Sequence, residues 1–296
     1  MQTTRPLHLS PHAKGLLLAV VGILVLSPDS LLIRLIAADA WSLLFWRGLM
    51  SGFVLSLYLA VTQGPQAFAR ILRIGLLGFV TAILFALNTT LFVVSVRHTA
   101  VANTLVLLSV SPLFGAVFSS IFLREHAPPR TWIATLICIG SIFYIMSEGM
   151  GEATLIGDSA ALGVALTMAA ILTLLRARRS SDAIVIVALS GLMLALVTLP
   201  FAAPFSLSGS SWLYMGTLGL IVIPLSFALT LSAPKYLPAP EVGLIFLLET
   251  ILGPFLVWWF IGEEPPAATL FGGMVLIATL SIHAAFSLRR PVAPDG

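Results

Sequence analysis

The stretch VGLIFLLETILGPFLVWWFIGEE, Val242–Glu264, decides how this chain folds. Wound as a helix, it matches the roughly 20 apolar residues that cross a bilayer. One carboxylate, Glu249, sits near its middle. A charge at that depth costs roughly 2.5–3.5 kcal/mol on insertion scales, so a helix that keeps one must give it a partner or a task. An earlier stretch, NTLVLLSVSPLFGAVFSSIFLRE (Asn103–Glu125), has the same layout with Ser111 in the place of Glu249.

The rest of the chain resembles these two stretches in composition. Of 296 residues, 59% are hydrophobic and 9% charged, against roughly 25% charged in an ordinary soluble domain. A soluble fold of this length cannot hide so much apolar surface. Strands of a membrane barrel would alternate apolar and polar positions over about ten residues, and these runs do not. The expected class is therefore an all-α polytopic membrane protein. Cys138 is the only cysteine, which excludes an intramolecular disulfide and a thiolate metal cluster.

Ten spans are expected, over 15–37, 41–62, 72–96, 101–123, 131–148, 157–176, 183–203, 211–232, 240–261 and 266–288. Arg5 and Lys14 followed by Gly15–Leu26 imitate a signal peptide, but the apolar run continues past Asp29 to Ile36. It reads as an uncleaved first span. Lys and Arg in short loops mark the cytoplasmic side. With the N-terminus inside, Arg5, Lys14, Arg70, Arg73, Arg124, Arg130, Arg176, Arg178, Arg179, Lys235, Arg289 and Arg290 all fall there. Only Arg34 and Arg97 lie near the outside, among Asp39, Glu148, Glu152, Glu263 and Glu264. Both termini are expected in the cytoplasm.

The two opening stretches belong to an internal repeat. An offset of 138 residues lays Arg97 on Lys235, Asn103 on Glu241, Ser111 on Glu249 and Glu125 on Glu263. At a slightly different offset Arg47-Gly48-Leu49-Met50 meets Ser190-Gly191-Leu192-Met193. Each half, 1–148 and 149–296, then holds five spans. An odd number forces the halves into opposite orientations, the inverted-repeat plan of secondary transporters, whose sites lie near the midplane between repeats.

Thr99-Ala100-Val101-Ala102-Asn103, Ser111-Pro112-Leu113 and Leu123-Arg124-Glu125 carry a family resemblance. So do Phe45-Trp46-Arg47-Gly48 and the second-half copies Leu237-Pro238-Ala239, Leu248-Glu249 and Gly262-Glu263. Together they resemble the drug/metabolite transporter superfamily, in its EamA-type branch, over essentially the whole chain. The resemblance implies a ten-helix, inverted-repeat exporter of small metabolites in a bacterial inner membrane. It implies amino acids as common cargo, aromatic ones included. One departure stands out: the family often has Glu-Pro in the ninth span, whereas here Thr250 follows Glu249 and the proline comes at Pro254. A backbone break near the acid would be displaced by about one turn.

Four ionisable residues within the expected spans stand out: Asp29, Arg34, Arg47 and Glu249. Their formal charges cancel, as expected of groups that pair. Arg34, near an outer end, can snorkel. Arg47 can grip a substrate carboxylate with its planar fork or pair with an acid. Asp29 follows Pro28, which lacks an N–H. It either re-satisfies the broken backbone or holds a cation or substrate ammonium. Glu249 is a candidate for the same coupling or ammonium-binding role, or a carboxylate tied to a neighbouring helix. Asn88 and Asn103 can contact substrate or bond across helices, and Trp46 can wall a cavity. Gly48 and Gly52 form a GxxxG pair. Trp41, Trp258 and Trp259 read as interfacial belt.

No Walker A sequence, zinc-protease helix, dinucleotide glycine fingerprint or nucleic-acid patch is present. The expected activity is a monomeric secondary transporter in contact with a small-molecule substrate and the lipid bilayer, with no cofactor and no metal. Export of lipophilic cations, of sugars or of nucleotide-sugar-like cargo stays open as an alternative. An intramembrane serine protease built on His283 and Ser190 is the remote one.

Overall fold

The computed structural model describes residues 10–64, 74–122, 129–148, 152–178, 183–233, 236–237 and 239–288. Thirteen α-helices account for ten spans, and no strand occurs among the described residues. The first span is α1 (Pro11–Leu26) with α2 (Asp29–Leu35). The second and third are α3 (Ala40–Gln63) and α4 (Gly75–His98), and the fourth is α5 (Val101–Leu108) with α6 (Ser111–Phe122). Then come α7 (Pro129–Glu148), α8 (Glu152–Arg178) and α9 (Ala183–Thr198). The eighth span joins α10 (Ser210–Gly216) to α11 (Ile223–Thr230) through a π-helical turn, Thr217–Val222. The last two are α12 (Ala239–Ile261) and α13 (Ala267–Leu288). Among the described residues, eight spans are long and apolar enough to cross a membrane, with shorter apolar stretches at Ile245–Ile261 and Ala267–His283.

The helices start and stop for local reasons. Pro11 opens α1 behind Ser10, whose hydroxyl accepts from the Ala13 N–H at 3.2 Å. Asp39 caps α3 by accepting from the Ser42 N–H at 2.9 Å. Slight burial pushes the Asp39 carboxyl up, but hydrogen bonds from Ser42 and the Trp41 backbone outweigh it and hold the carboxyl below its ordinary range. Pro28 and Pro112 break the first and fourth spans, since a proline ring removes an N–H and crowds the preceding turn. Pro254 does not break α12, so the displaced break expected near Glu249 does not form.

Polarity is inverted relative to a soluble protein. Val61, Leu76, Leu136, Phe143 and Trp259 are among the most exposed side chains, while Asp29, Arg47, Asn88, Asn103 and Asp158 are buried. Hydrocarbon is the solvent that makes this arrangement favourable. Because lipid is as apolar as leucine, close backbone approach and interhelical hydrogen bonds hold such a bundle together.

Packing obeys the repeat. Exchanging each span for its counterpart five places along carries the α4–α8 contact into α1–α11, and α6–α8 into α1–α12. It also carries α4–α9 into the contact of α3 with the π-helical turn. The pairs α3–α9, α5–α12 and α7–α13 map onto themselves and therefore straddle the pseudo-two-fold axis. At the α3–α9 crossing the equivalent glycines meet: a Cβ on Gly48 would lie 2.6 Å from the Gly191 carbonyl oxygen, and one on Gly191 2.8 Å from that of Gly48. Glu125, Arg124 and Lys235, which entered the repeat comparison, lie outside the described residues, as do Arg70, Arg73 and Arg179.

A buried charge cluster beside the repeat axis

The break between α1 and α2 gives Asp29 its position. Ser27 turns its hydroxyl back to the Ile23 carbonyl at 2.8 Å, and α2 restarts at Asp29 with the side chain facing inward. Arg47 sits in the second turn of α3, about 10 Å below the helix start at a rise of about 1.5 Å per residue. The two meet as a forked pair: Nη1 donates to Oδ1, and Nη2 donates to Oδ2 at 2.8 Å. Asp29 is 4% and Arg47 6% exposed, so neither charge is screened by bulk water. The guanidinium also stands over the Phe92 ring, 5.8 Å from its centroid, a cation–π contact that favours the cation in this apolar setting.

Glu249 completes the cluster from the ninth span. It is half-buried and lies within electrostatic reach of both Asp29 and Arg47. One turn further along α12, Gly253 abuts Leu105 and Ser30, which fixes that face of the helix against α2 and α5. Among the described residues Glu249 makes no hydrogen bond or ion pair. The cluster thus holds two carboxylates and one guanidinium, an excess of one acid.

On the other side of Arg47 lies a cavity of about 30 Å³, between α3, α4, α9 and α11. Arg47, Ser51, Thr89 and Ser190 give it polar wall, and Phe85 and Phe227 give it aromatic wall. Those two rings meet edge to face with centroids 6.4 Å apart, deeper in the bundle than Arg47. The lining is pseudo-symmetric: Arg47 corresponds to Ser190, Gly48 to Gly191, Phe85 to Ile223 and Thr89 to Phe227. The space holds a water and nothing larger.

Other expected site residues lie apart from this cluster. Asn88 donates to the Val164 carbonyl at 2.9 Å and to the Thr167 hydroxyl at 2.8 Å, joining α4 to α8. The Trp46 indole donates to the Pro204 carbonyl at 2.8 Å and lies edge-on to Trp212, so it packs against the connection from α9 to α10. Trp46 is not part of the wall of this cavity. Asn103 stands near the Asp39 end of the bundle, in a separate polar cluster with Thr99, Asp158 and Thr269. Asp158 was missed by the sequence reading because it fell at the expected edge of a span. The helix begins at Glu152, which puts Asp158 in its second turn and fully buried. A carboxylate just inside an apolar run was the available signal.

The Asp39 end is laced shut by polar contacts. Arg34, rather than snorkelling, donates from Nη2 to the Thr99 carbonyl at 2.8 Å and pairs with Glu263 at 3.0 Å. Glu263 also accepts from the Val101 N–H at 2.8 Å. Arg97 donates to the carbonyls of Ala38 and Ile36 at 2.7 and 3.2 Å. The Ser42 hydroxyl accepts from the Ala203 N–H at 2.9 Å.

The family model described as "EamA-like transporter family" matches this sequence over residues 13–147 and again over 155–283. No curated protein matches it. Among solved structures, one titled only "Crystal structure of protein" is similar with a TM-score of 0.68 and 18% identity, covering 95% of this chain and 100% of its own. At that identity the likeness concerns the fold.

Proposed function

This chain belongs to the EamA-like transporter family, a drug/metabolite-type transporter family, and we propose that it exports small zwitterionic metabolites, amino acids in the first place, by alternating access. The observation that carries this reading is the buried group of Asp29, Arg47 and Glu249. An internal ion pair keeps the empty site neutral enough to remain in hydrocarbon. A zwitterion brings both charges needed to replace it. Its carboxylate takes the Arg47 fork in place of Asp29, and its ammonium is shared by Asp29 and Glu249. The excess acid favours cargo with an ammonium group over a simple carboxylate.

The small cavity beside Arg47 is the contracted form of the binding space. An amino acid needs several times its volume, so binding requires the halves to rock apart across the α3–α9 crossing. Inverted-repeat transporters carry their sites at this kind of interface. The Lys and Arg distribution supports a bacterial inner-membrane protein with both termini in the cytoplasm and the Asp39 end outside.

The test is substrate-driven counterflow in proteoliposomes across an amino-acid panel, with Glu249→Gln and Asp29→Asn beside the wild type. Expected is exchange of one or more amino acids, lowered at least tenfold by either substitution. If no amino acid moves, with or without a pH gradient, the reading fails. The aromatic wall at Phe85 and Phe227 favours lipophilic cations as a second cargo class, and a dye-cation panel in the same vesicles separates the two.

A further inference from the structure

A second buried carboxylate, remote from the central cluster in its contacts, has no part in that scheme. Asp158 is fully buried in the second turn of α8. Its Oδ1 accepts from the Thr99 hydroxyl at 2.6 Å and from the Asn103 amide at 3.2 Å. The Asn103 amide also donates to the Thr99 hydroxyl at 3.2 Å, and its carbonyl oxygen accepts from Thr269. Every donor of this cluster is thereby used. The other carboxylate oxygen, Oδ2, is buried and has no hydrogen-bond partner among the described residues.

Thr99 and Asn103 also line a cavity of about 420 Å³ at the Asp39 end, together with Thr154, Pro266 and Ala267. Water has a route to within one side chain of Asp158. The charged groups on the elements packed around it are engaged elsewhere. Arg97 bonds backbone carbonyls and His98 contacts the Val94 carbonyl, both on α4. Arg34 and Glu263 reach only the backbone of the Thr99–Val101 turn. The sequences of α5 and α6 contain no charged residue.

We propose that Asp158 is a proton-binding site, loaded through this cavity, whose protonation releases the lacing of the Asp39 end. A metal cation takes several oxygens, and the cluster has one to offer; a proton needs one. A hydronium ion entering the cavity gives its proton to Oδ2. An O–H bond forms, the carboxylate becomes a neutral carboxyl, and water is left behind. Charge-assisted hydrogen bonds are roughly twice as strong as neutral ones, so neutralisation loosens the hold of Asp158 on Thr99 and Asn103. Thr99 carries the change to the latch, because its carbonyl accepts from Arg34 while its hydroxyl serves Asp158. Under the orientation proposed above, on which this step rests, protons enter from outside as cargo leaves.

Infrared difference spectroscopy on the full chain in liposomes, stepped in pH without any substrate, reads the protonated-carboxyl band. Expected is loss of one component of that band in Asp158→Asn and its retention in Glu249→Gln. A band unchanged in Asp158→Asn overturns the proposal. Should Asp158→Asn fail to fold, Thr99→Val decides: it removes a donor but keeps the acid, so the band persists with an altered midpoint, and an unaltered midpoint overturns the proposal. Neither result depends on whether amino acids are the cargo, which the counterflow panel tests separately.

Discussion

At the scale of single residues, the central fact is that Asp29 and Arg47, both buried, neutralise each other. Breaking a buried pair by removing one partner costs about 3–5 kcal/mol, because the charge left behind is uncompensated, whereas replacing both can be nearly neutral. Asp29→Asn and Arg47→Gln are each expected to lower thermal stability in detergent strongly, and the double variant to recover most of the loss. A double variant as unstable as the sum of the singles would mean that the pair does not act as a unit. These two residues and Glu249 were legible in the sequence, since charges in apolar runs cannot hide. Their mutual distances were not. Trp46 and Asn88 looked equally suited to a cavity, and the structure gives them partners in the Pro204 carbonyl and the α8 backbone.

At the scale of elements, small residues decide which helices can cross closely. The α3–α9 crossing brings Gly48 and Gly191 into mutual backbone contact, and a Cβ on Gly52 would lie 2.8 Å from the Leu192 nitrogen. Overpacking a tight contact costs about 1–3 kcal/mol, and here both obstructing groups are backbone. Gly48→Ala is therefore expected to lower the unfolding midpoint and to reduce transport. Gly140→Ala, where a Cβ meets nothing within 4 Å, is expected to change neither. The pair of glycines was visible as a repeated Gly-Leu-Met string, but that the two copies face one another across the axis was not. Glycines three residues apart also occur at Gly75 and Gly78 in the third span and at Gly216 and Gly219 in the eighth: Gly219 packs on Met50, whereas Gly75 and Gly216 face open space.

At the scale of the whole molecule, the export proposed above requires the Asp39 end to open, and the Arg34–Glu263 pair bridges the first span to the connection between the ninth and tenth. The two side chains are 25% and 26% exposed, and solvent-accessible ion pairs contribute modestly, about 0–1 kcal/mol, which suits a contact that the proposed cycle would break. Glu263→Gln is expected to shift the population toward the open form. The measurement is labelling of Ala100→Cys, in a Cys138→Ala background, by a membrane-impermeant maleimide. Faster labelling with Glu263→Gln is expected, and an unchanged rate would show that this latch does not limit opening.

The sequence by itself determined the class, the ten spans and the two-fold repeat, because each follows from local quantities: the length of an apolar run, the odd number of runs per half, and the recurrence of residues at a fixed offset. It also exposed the acids and the arginine that hydrocarbon makes expensive. The tertiary structure alone decided which charges neutralise which, that Pro254 leaves its helix intact while Pro28 and Pro112 break theirs, and that Asp158 lies inside the bundle with one oxygen unmet among the described residues. Those outcomes depend on which faces of distant helices meet. In a chain whose helices are apolar on nearly every side, no periodicity marks the inner face in advance, so the partner of each polar group is fixed by packing across the repeat axis.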